Sequence, residues 1–240
     1  MERLLKSREL VGLFVGAVSL AVAVGPYWGF YLALLFLSLG IGYEVSRVLG
    51  FRDFYIAGVV FLVSSYSLEL GFALALLLSL YAGWKSWSME DFLKAVFLSF
   101  YCGYLPTFLL ALKGKGGFEV VKLLLFVWAV DVLSYYVGKS WGKTPIAQRL
   151  SPKKTWEGFW GGAVGGFFVL ALFYGFGKAL VYSFFLVPSA FFGDLFKSFV
   201  KRQVGVKDFS HLLGEHGGLT DRFDSLLFCA PVFLYLIQHG

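Results

Sequence analysis

The chain has 240 residues, of which 58% are hydrophobic and only 15% are charged, and its mean hydropathy is +0.75. A water-soluble domain of this length cannot bury so much apolar surface in one core, so the composition excludes a soluble globular protein and indicates an integral membrane protein. The net charge of +6 does not favour nucleic-acid binding, because no soluble domain is available to carry a basic binding surface.

Nine apolar stretches predict an all-α, polytopic integral membrane protein with about nine transmembrane helices, since ~20 apolar residues cross the hydrocarbon layer. In chain order they are Leu10–Val24, Tyr27–Val45, Phe54–Tyr66, Leu68–Trp84, Phe92–Leu112, Phe118–Gly138, Gly158–Tyr174, Ala179–Leu195 and Phe223–Gln238. The third stretch is short, so it and the fourth are also compatible with a tight hairpin or a partly re-entrant pair.

The N-terminal stretch has two interpretations. Arg3, Lys6 and Arg8 ahead of an apolar run also resemble a cleavable signal peptide. We favour a retained first helix, because the apolar run continues almost directly into the next span across Gly25-Pro26.

The basic residues predict the orientation, because cytoplasmic loops are enriched in Lys and Arg. With the N-terminus in the cytoplasm, 17 of the 21 basic residues lie on the cytoplasmic side of the inner (cytoplasmic) membrane. The two longest polar loops, 139–157 and 196–222, then share that face. These loops predict a polar active site at the cytoplasmic face. The catalytic membrane region is then 113–240, and residues 1–112 form N-terminal membrane helices without a diagnostic motif.

The end of the eighth span carries one stripe with a carboxylate, a hydroxyl and two cations, formed by Asp194, Ser198, Lys201 and Arg202. We assign Lys197 and Lys207 as ordinary interface anchors. Anchoring does not account for Asp194, because an unpaired carboxylate at the apolar end of a span costs free energy and is a functional candidate.

Asp221 and Asp224 are three residues apart and share a face of the last helix's first turn. The helix dipole favours such acids by roughly 0.3–1 kcal/mol each, which would explain one of them. For the pair we favour a divalent cation, since carboxylates suit Mg²⁺, which completes its shell with waters and substrate phosphates. Gly217 and Gly218 would let backbone N–H groups approach a phosphate, whereas His216 fits either a phosphate contact or a structural hydrogen bond.

The loop 139–157 supplies the complementary charge and hydroxyls ahead of a helix N-terminus, which is a favourable place for a polyanion; these residues are Ser151, Lys153, Lys154 and Thr155. Membrane anchoring would explain the lysines but not the hydroxyls. Two further acids fall within predicted spans, Asp131 with Ser134 and Tyr135 on its face, and Glu44 at a similar depth.

The stretch SFVKRQVGVKDFSHLLGEHGGLTDRFDS, residues 198–225, resembles the C-terminal signature of the phosphatidate cytidylyltransferases, the CDP-diacylglycerol synthases. That pattern has Ser-x-apolar-Lys-Arg, then Lys-Asp, then His-Gly-Gly-apolar-x-Asp-Arg-apolar-Asp. The segment SPKKTWEG and the segment around Asp131 are also similar to this family, so the resemblance covers roughly the second half of the chain.

The resemblance implies that CTP and phosphatidic acid react to CDP-diacylglycerol and pyrophosphate, with Mg²⁺ required and a second metal ion allowed for. It implies metal ligation by Asp194 and Asp221, then by Asp224 and Asp131. The implied catalytic set is Asp194, Asp221, Lys201, Arg202 and Lys154. The implied substrate-binding set is Ser151, Lys153, Lys154, Thr155, Ser198, Lys201, Arg202, His216, Gly217, Gly218 and Arg222.

Two alternatives stay open. A relative that acts on another lipid phosphate, such as an isoprenoid ether lipid, would use the same polar site. A secondary transporter also has many spans and embedded acids, but transporter sites lie near the midplane at broken helices and repeats, whereas here the acids gather toward one face. The expected partners are CTP, phosphatidic acid and the lipid bilayer, with no nucleic acid, and a homodimer is left open.

Overall fold

The structure is a computed structural model that describes residues 8–116, 118–210 and 217–240, the side chains of residues 8–11 excepted. Its helices are α1 (Arg8–Val24), α2 (Tyr27–Leu49), α3 (Tyr55–Tyr66), α4 (Leu68–Ser86), α5 (Met89–Val96), the π-helix π1 (Phe97–Tyr104), α6 (Leu105–Lys115), α7 (Glu119–Trp141), α8 (Trp156–Gln203) and α9 (Thr220–His239). The predicted all-α membrane class is confirmed.

Within the part of the chain that the structure describes, five helices are long and apolar enough to cross a membrane: α2, α4, the continuous run Met89–Lys115, α7 and α8. Gly12–Val24 and α3 are shorter apolar helices. The predicted number of nine spans is not confirmed. The predicted ninth span, α9, falls outside the five because three charged residues among its first five shorten its apolar run, namely Asp221, Arg222 and Asp224.

The 48-residue helix α8 is a hairpin of two arms, 156–174 and 176–203. Gly175 lies between them with φ 77° and ψ 167°, a conformation that glycine adopts without steric cost. The Phe159 and Phe191 ring centroids are 5.2 Å apart, whereas a straight helix would separate these residues by about 48 Å at ~1.5 Å per residue. The arms agree with the seventh and eighth predicted spans.

The chain divides into two compact units. Unit 1 comprises Met1–Gly117 and Val206–Phe223, and unit 2 comprises Phe118–Gly205 and Asp224–Gly240. In unit 1, α2 packs tightly on α3 and π1. The Ser38 hydroxyl of α2 donates to the Cys102 carbonyl of π1 at 2.7 Å, and Ile41 and Val45 are fully buried. This packing holds α2 in place.

In unit 2, α7 packs against the first arm of α8 through glycines at four-residue spacing, as in small-residue interfaces of membrane helices. A Cβ added at Gly162 would lie 2.1 Å from the Ser134 hydroxyl oxygen, and one at Gly166 would lie 2.5 Å from the Phe126 ring. Larger residues at these positions would force the two helices apart.

The predicted loop 139–157 contains two antiparallel strands, β1 (Pro145–Ala147) and β2 (Ser151–Thr155), with Pro145 opposite Thr155. Glu157 fastens the base of this hairpin. Its carboxylate accepts hydrogen bonds from the Thr144 hydroxyl at 3.1 Å and from the backbone N–H of Lys143 at 3.2 Å. The hairpin therefore leads rigidly into α8.

Candidate active site

Four charged side chains of unit 2 form a connected group, the ion-pair cluster, made of Lys154, Asp194, Lys197 and Asp224. The Lys154 Nζ lies 2.5 Å from Asp194 Oδ2. The Lys197 Nζ lies 3.3 Å from Asp194 Oδ1 and 2.8 Å from Asp224 Oδ2. One ammonium group thus bridges two carboxylates that come from different helices, α8 and α9.

Local packing explains why these side chains meet. The Thr155 hydroxyl caps α8 by accepting from the Gly158 N–H at 3.2 Å, so Lys154 is held directly before the helix. The hairpin at Gly175 returns the second arm to this end. Gly193 lets α8 and α9 approach, since a Cβ there would lie 2.8 Å from the Asp224 carbonyl oxygen. Thr155, predicted to bind a phosphate, thus also has a structural role.

Lys154 occupies a partly dehydrated position. Only 17% of its side chain is exposed, and its Nζ lies 5.3 Å from the centroid of the Phe191 ring. Burial lowers the pKa of Lys154 from its ordinary value, and the carboxylate of Asp194 opposes that shift. An ammonium group in such a setting attracts an anion more strongly than one in bulk water.

Asp131 of α7 is electrostatically coupled to Asp224 and Asp194. Its side chain is exposed, and within the described part of the chain it forms no hydrogen bond or ion pair. This region of unit 2 thus holds three carboxyl groups and two ammonium groups, and Asp131 is the one of the three that forms no ion pair among the described residues.

Carboxylate oxygens are the kind of ligand that Mg²⁺ prefers. Asp131, Asp194 and Asp224 are the unit 2 residues that would hold it. Across residues 8–116, 118–210 and 217–240, no three His, Cys, Asp or Glu side chains are grouped closely enough to hold a metal by themselves. The remainder of the shell would come from water and substrate phosphates, as is common for Mg²⁺.

Unit 1 contains a carboxylate with a different environment. Glu44 of α2 is 2% exposed. Its Oε1 accepts from the Ser210 hydroxyl at 2.6 Å and from the Leu219 N–H at 2.9 Å. Its Oε2 accepts from the N–H and the hydroxyl of Thr220 at 2.9 and 2.8 Å. Glu44 thus binds the N-terminus of α9.

Asp221 binds the same backbone from the other side. Its Oδ2 accepts from the Gly218 N–H at 3.1 Å and from the Phe209 N–H at 3.2 Å. A Cβ at Gly217 would lie 2.9 Å from this oxygen, and one at Gly218 would lie 2.5 Å from a Glu44 oxygen. The two glycines are therefore required by the carboxylates beside them, in addition to any role toward a phosphate.

The remaining predicted residues lie at the ends of these elements. Ser198 donates its hydroxyl to the Asp194 carbonyl at 2.9 Å. In β2, Ser151 is half-buried and Lys153 is exposed, and in the last turn of α8, Lys201 is half-buried and Arg202 is exposed. Arg222 is exposed in the first turn of α9. His216 lies outside the described residues.

Sequence reasoning missed the contacts of two residues, Lys197 and Glu44. The assignment of Lys197 as an interface anchor is wrong, because its side chain is only 12% exposed and joins Asp194 to Asp224. The available signal was its position three residues after an acid on the same helix. Glu44 was recognised as an acid within a span, but its partners follow in sequence only after residue 209.

The sequence profile of the cytidylyltransferase family matches residues 6–239. The chain belongs to this family. The phosphatidate cytidylyltransferase of Aquifex aeolicus is 44% identical over 237 residues, which cover 98% of this chain and 91% of that protein. The phosphatidate cytidylyltransferase of Brucella abortus is 30% identical over 258 residues, covering 97% of this chain and 92% of that protein.

A third relative matches about half of the chain. The phosphatidate cytidylyltransferase of Helicobacter pylori is 43% identical over 136 residues, which cover 52% of this chain and 50% of that protein. The family match as a whole extends over the first half of the chain, where the sequence carries no diagnostic motif. Glu44 therefore lies inside the cytidylyltransferase region.

Proposed function

We propose that this chain is a phosphatidate cytidylyltransferase, which transfers the cytidylyl group of CTP to phosphatidic acid and forms CDP-diacylglycerol and pyrophosphate. The observation that carries this conclusion is the 44% identity to the Aquifex aeolicus phosphatidate cytidylyltransferase over 98% of the chain. The ion-pair cluster supports it, because it offers cations and carboxylates to a polyphosphate.

The reaction is a displacement at phosphorus. A phosphate oxygen of phosphatidic acid attacks the α-phosphorus of CTP, the bond from that phosphorus to the bridging oxygen breaks, and pyrophosphate leaves with the electron pair. A covalent enzyme intermediate is not needed, because the lipid phosphate is already an ionised nucleophile. The barrier arises mainly from bringing two anions together, so alignment and charge neutralisation are the protein's tasks.

The cluster residues fit these tasks. Lys154, dehydrated and held before α8, would bind a phosphoryl oxygen of CTP and stabilise the charge that grows as pyrophosphate leaves. Asp194, Asp224 and Asp131 would hold Mg²⁺, whose bound charge neutralises phosphate oxygens. Lys197 would keep Asp194 and Asp224 close to each other. Lys201 and Arg202 are proposed to attract the anionic substrates.

We further propose that the protein lies in the inner membrane with its N-terminus and its site toward the cytoplasm. The basic residues of loops 139–157 and 196–222 support this orientation. CTP is water-soluble and is made in the cytoplasm, whereas the lipid phosphate is confined to the bilayer surface. A site at the cytoplasmic face is where both substrates are available.

The proposal is tested with the purified full-length protein in lipid-supplemented detergent. We expect pyrophosphate and CDP-diacylglycerol in equal amounts when CTP, phosphatidic acid and Mg²⁺ are all present, and neither product when one is omitted. An isoprenoid ether lipid phosphate serves as a second acceptor. Product with that acceptor and none with phosphatidic acid would refute the assigned substrate, and no pyrophosphate with either acceptor would refute the reaction.

A further inference from the structure

Glu44 lies buried in α2 among hydrogen-bond donors that are all neutral. No Lys, Arg or His of the described residues forms an ion pair with it, and four donors converge on its two oxygens. A carboxyl group within a membrane helix is costly unless its partners repay the desolvation. An apolar residue would pack there at no such cost, so the carboxylate serves the segment that it binds.

That segment belongs to the signature stretch 198–225 of this sequence, and two carboxylates bind it. Glu44 joins Ser210 to Leu219 and Thr220, and Asp221 joins Phe209 to Gly218. Each carboxylate therefore links the chain just before residues 211–216 to the chain just after them. We call this pair of carboxylates the double clamp.

The double clamp also determines where Asp221 lies. Glu44 binds the two backbone positions directly before Asp221, and the Leu219 side chain contacts α2 closely enough that a Cβ at Gly40 would lie 2.8 Å from it. The first N–H groups of a helix have no acceptor within the helix. If Glu44 releases the backbone at 219 and 220, two of these N–H groups at the start of α9 lose their acceptor. Asp221 would then lose its fixed position.

We propose that Glu44 is a positioning residue for the cytidylyl transfer: it fixes residues 218–221 and thereby orients Asp221, without touching the reacting atoms itself. This inference rests on the proposed function, because Asp221 is one of the residues that the family resemblance implies for that reaction. Glu44→Gln is the sharpest variant, because it keeps the shape of the side chain but turns an NH₂ group toward donors that need an acceptor.

The control variant is Ser38→Ala. Ser38 is also a fully buried polar residue of α2, but its hydroxyl binds π1 and not the signature segment. For Glu44→Gln we expect kcat to fall about ten- to a hundred-fold, since hydrogen bonds to a charged group are strong, with thermal unfolding close to that of the wild type. For Ser38→Ala we expect kcat within about two-fold of the wild type, because its hydroxyl binds the carbonyl groups of Ala57 and Cys102 and not residues 209–221.

Two readouts separate positioning from general destabilisation. Amide hydrogen exchange should accelerate at Leu219 and Thr220 in Glu44→Gln and should stay unchanged elsewhere in unit 1. In the double variant with Asp221→Asn, the loss in kcat should not exceed that of Asp221→Asn alone, because both changes act through one group. If Glu44→Gln does not fold, Glu44→Asp, which is shorter and reaches fewer donors, takes its place in the same assays.

Normal kcat together with unchanged exchange in Glu44→Gln would overturn the proposal, and so would fully additive losses in the double variant. Accelerated exchange at 219 and 220 with normal kcat would show a structural clamp only, which also overturns the assignment to the reaction. A wild-type protein without CTP-dependent turnover would instead refute the proposed function, while the exchange measurement would still decide whether Glu44 fixes the segment.

Discussion

The carboxylates of the double clamp and those of the ion-pair cluster differ in what they bind. Glu44 and Asp221 of unit 1 accept hydrogen bonds from backbone N–H groups and hydroxyls. Asp194 and Asp224 of unit 2 face the ammonium groups of Lys154 and Lys197. Backbone partners cannot leave without unfolding the segment, whereas a lysine side chain can rotate away. Cluster carboxylates can therefore exchange partners when a polyanion and its cation arrive.

Asp221 combines a structural role with a predicted role as a metal ligand. As a carboxylate bound to backbone N–H groups it has the structural role that acids often have in the first turn of a helix. Only one of its oxygens accounts for the two backbone bonds described above. The predicted role of Asp221 as a metal ligand depends on its negative charge, so a substitution that keeps the backbone bonds while removing the charge separates the two roles.

The largest effect is expected for Asp221→Asn. The asparagine carbonyl oxygen can still accept from the Gly218 and Phe209 N–H groups, so the clamp survives while the charge is lost. We predict that turnover falls about a thousand-fold, to a rate that is still measurable, while the protein remains folded, measured by pyrophosphate release and thermal unfolding, and that chelation of Mg²⁺ abolishes turnover reversibly. Loss of a metal ligand removes several kcal/mol of charge stabilisation.

Asp91→Asn is the matched control, because Asp91 is likewise an acid in the first turn of a unit 1 helix, α5. It should leave turnover within about two-fold of the wild type. Near-normal turnover of Asp221→Asn at saturating Mg²⁺ would show that Asp221 is only a structural residue of the helix start.

The second effect distinguishes two adjacent lysines of β2. Lys154 is buried in the ion-pair cluster, whereas Lys153 is exposed. We predict that Lys154→Ala lowers kcat/KM about ten- to a hundred-fold, since a charge-assisted contact contributes roughly 1.5–3 kcal/mol. Lys154→Arg should recover part of this loss, because a planar guanidinium does not replace a compact ammonium.

Lys153→Ala and Lys207→Ala serve as controls in the same steady-state series, with CTP and phosphatidic acid varied separately. Both residues are exposed, so we expect losses of at most a few-fold from the general positive potential. Equal losses in all three variants would show that burial of Lys154 has no bearing on the reaction.

Much of this arrangement could be predicted from local sequence. The apolar runs predicted the helices, and the break near Gly175 correctly separated the two arms of α8, because glycine within an apolar run permits a sharp turn. Asp194, Lys154 and Asp224 were all named from the sequence as candidate site residues, and the structure brings these three together in unit 2.

The rest depended on contacts that no local pattern encodes. The strands β1 and β2 are three and five residues long, too short for an alternating pattern to distinguish them from a loop. The partners of Glu44 follow it only after residue 209, and a carboxylate within a span does not reveal which distant N–H groups it binds. Lys197 was misassigned because a lysine near a helix end is more often an anchor than a bridge.

A smaller effect, on stability, is expected for Gly218→Ala. The added Cβ would lie 2.5 to 2.7 Å from the Glu44 carboxylate, so one of the two must shift. Overpacking of this kind typically costs about 1–3 kcal/mol, and we predict a lower thermal midpoint with reduced turnover. Gly114→Ala is the control in unit 1, because a Cβ there meets nothing within 4 Å. Equal midpoints for the two variants would contradict the tight geometry of the double clamp.

The smallest effect on activity is expected for single cysteines introduced into a background lacking Cys102 and Cys229. These variants test the membrane topology. Gln148 of unit 2 and Lys207 of unit 1 are exposed. Because soluble CTP must reach residues of both units if both serve one reaction, we predict that cysteines at 148 and 207 react with an impermeant reagent only from the cytoplasmic side.

Lys178 supplies the opposite control, since it is exposed next to the turn of α8 and the orientation by basic residues assigns it to the outside. A cysteine at 178 should be labelled in intact cells, whereas those at 148 and 207 should be labelled only after the membrane is opened. Labelling of 148 and 207 from opposite sides would mean that the ion-pair cluster and the double clamp cannot serve the same substrates. Labelling of both from outside would instead show that the predicted orientation is inverted. The two loops would then still face the same compartment.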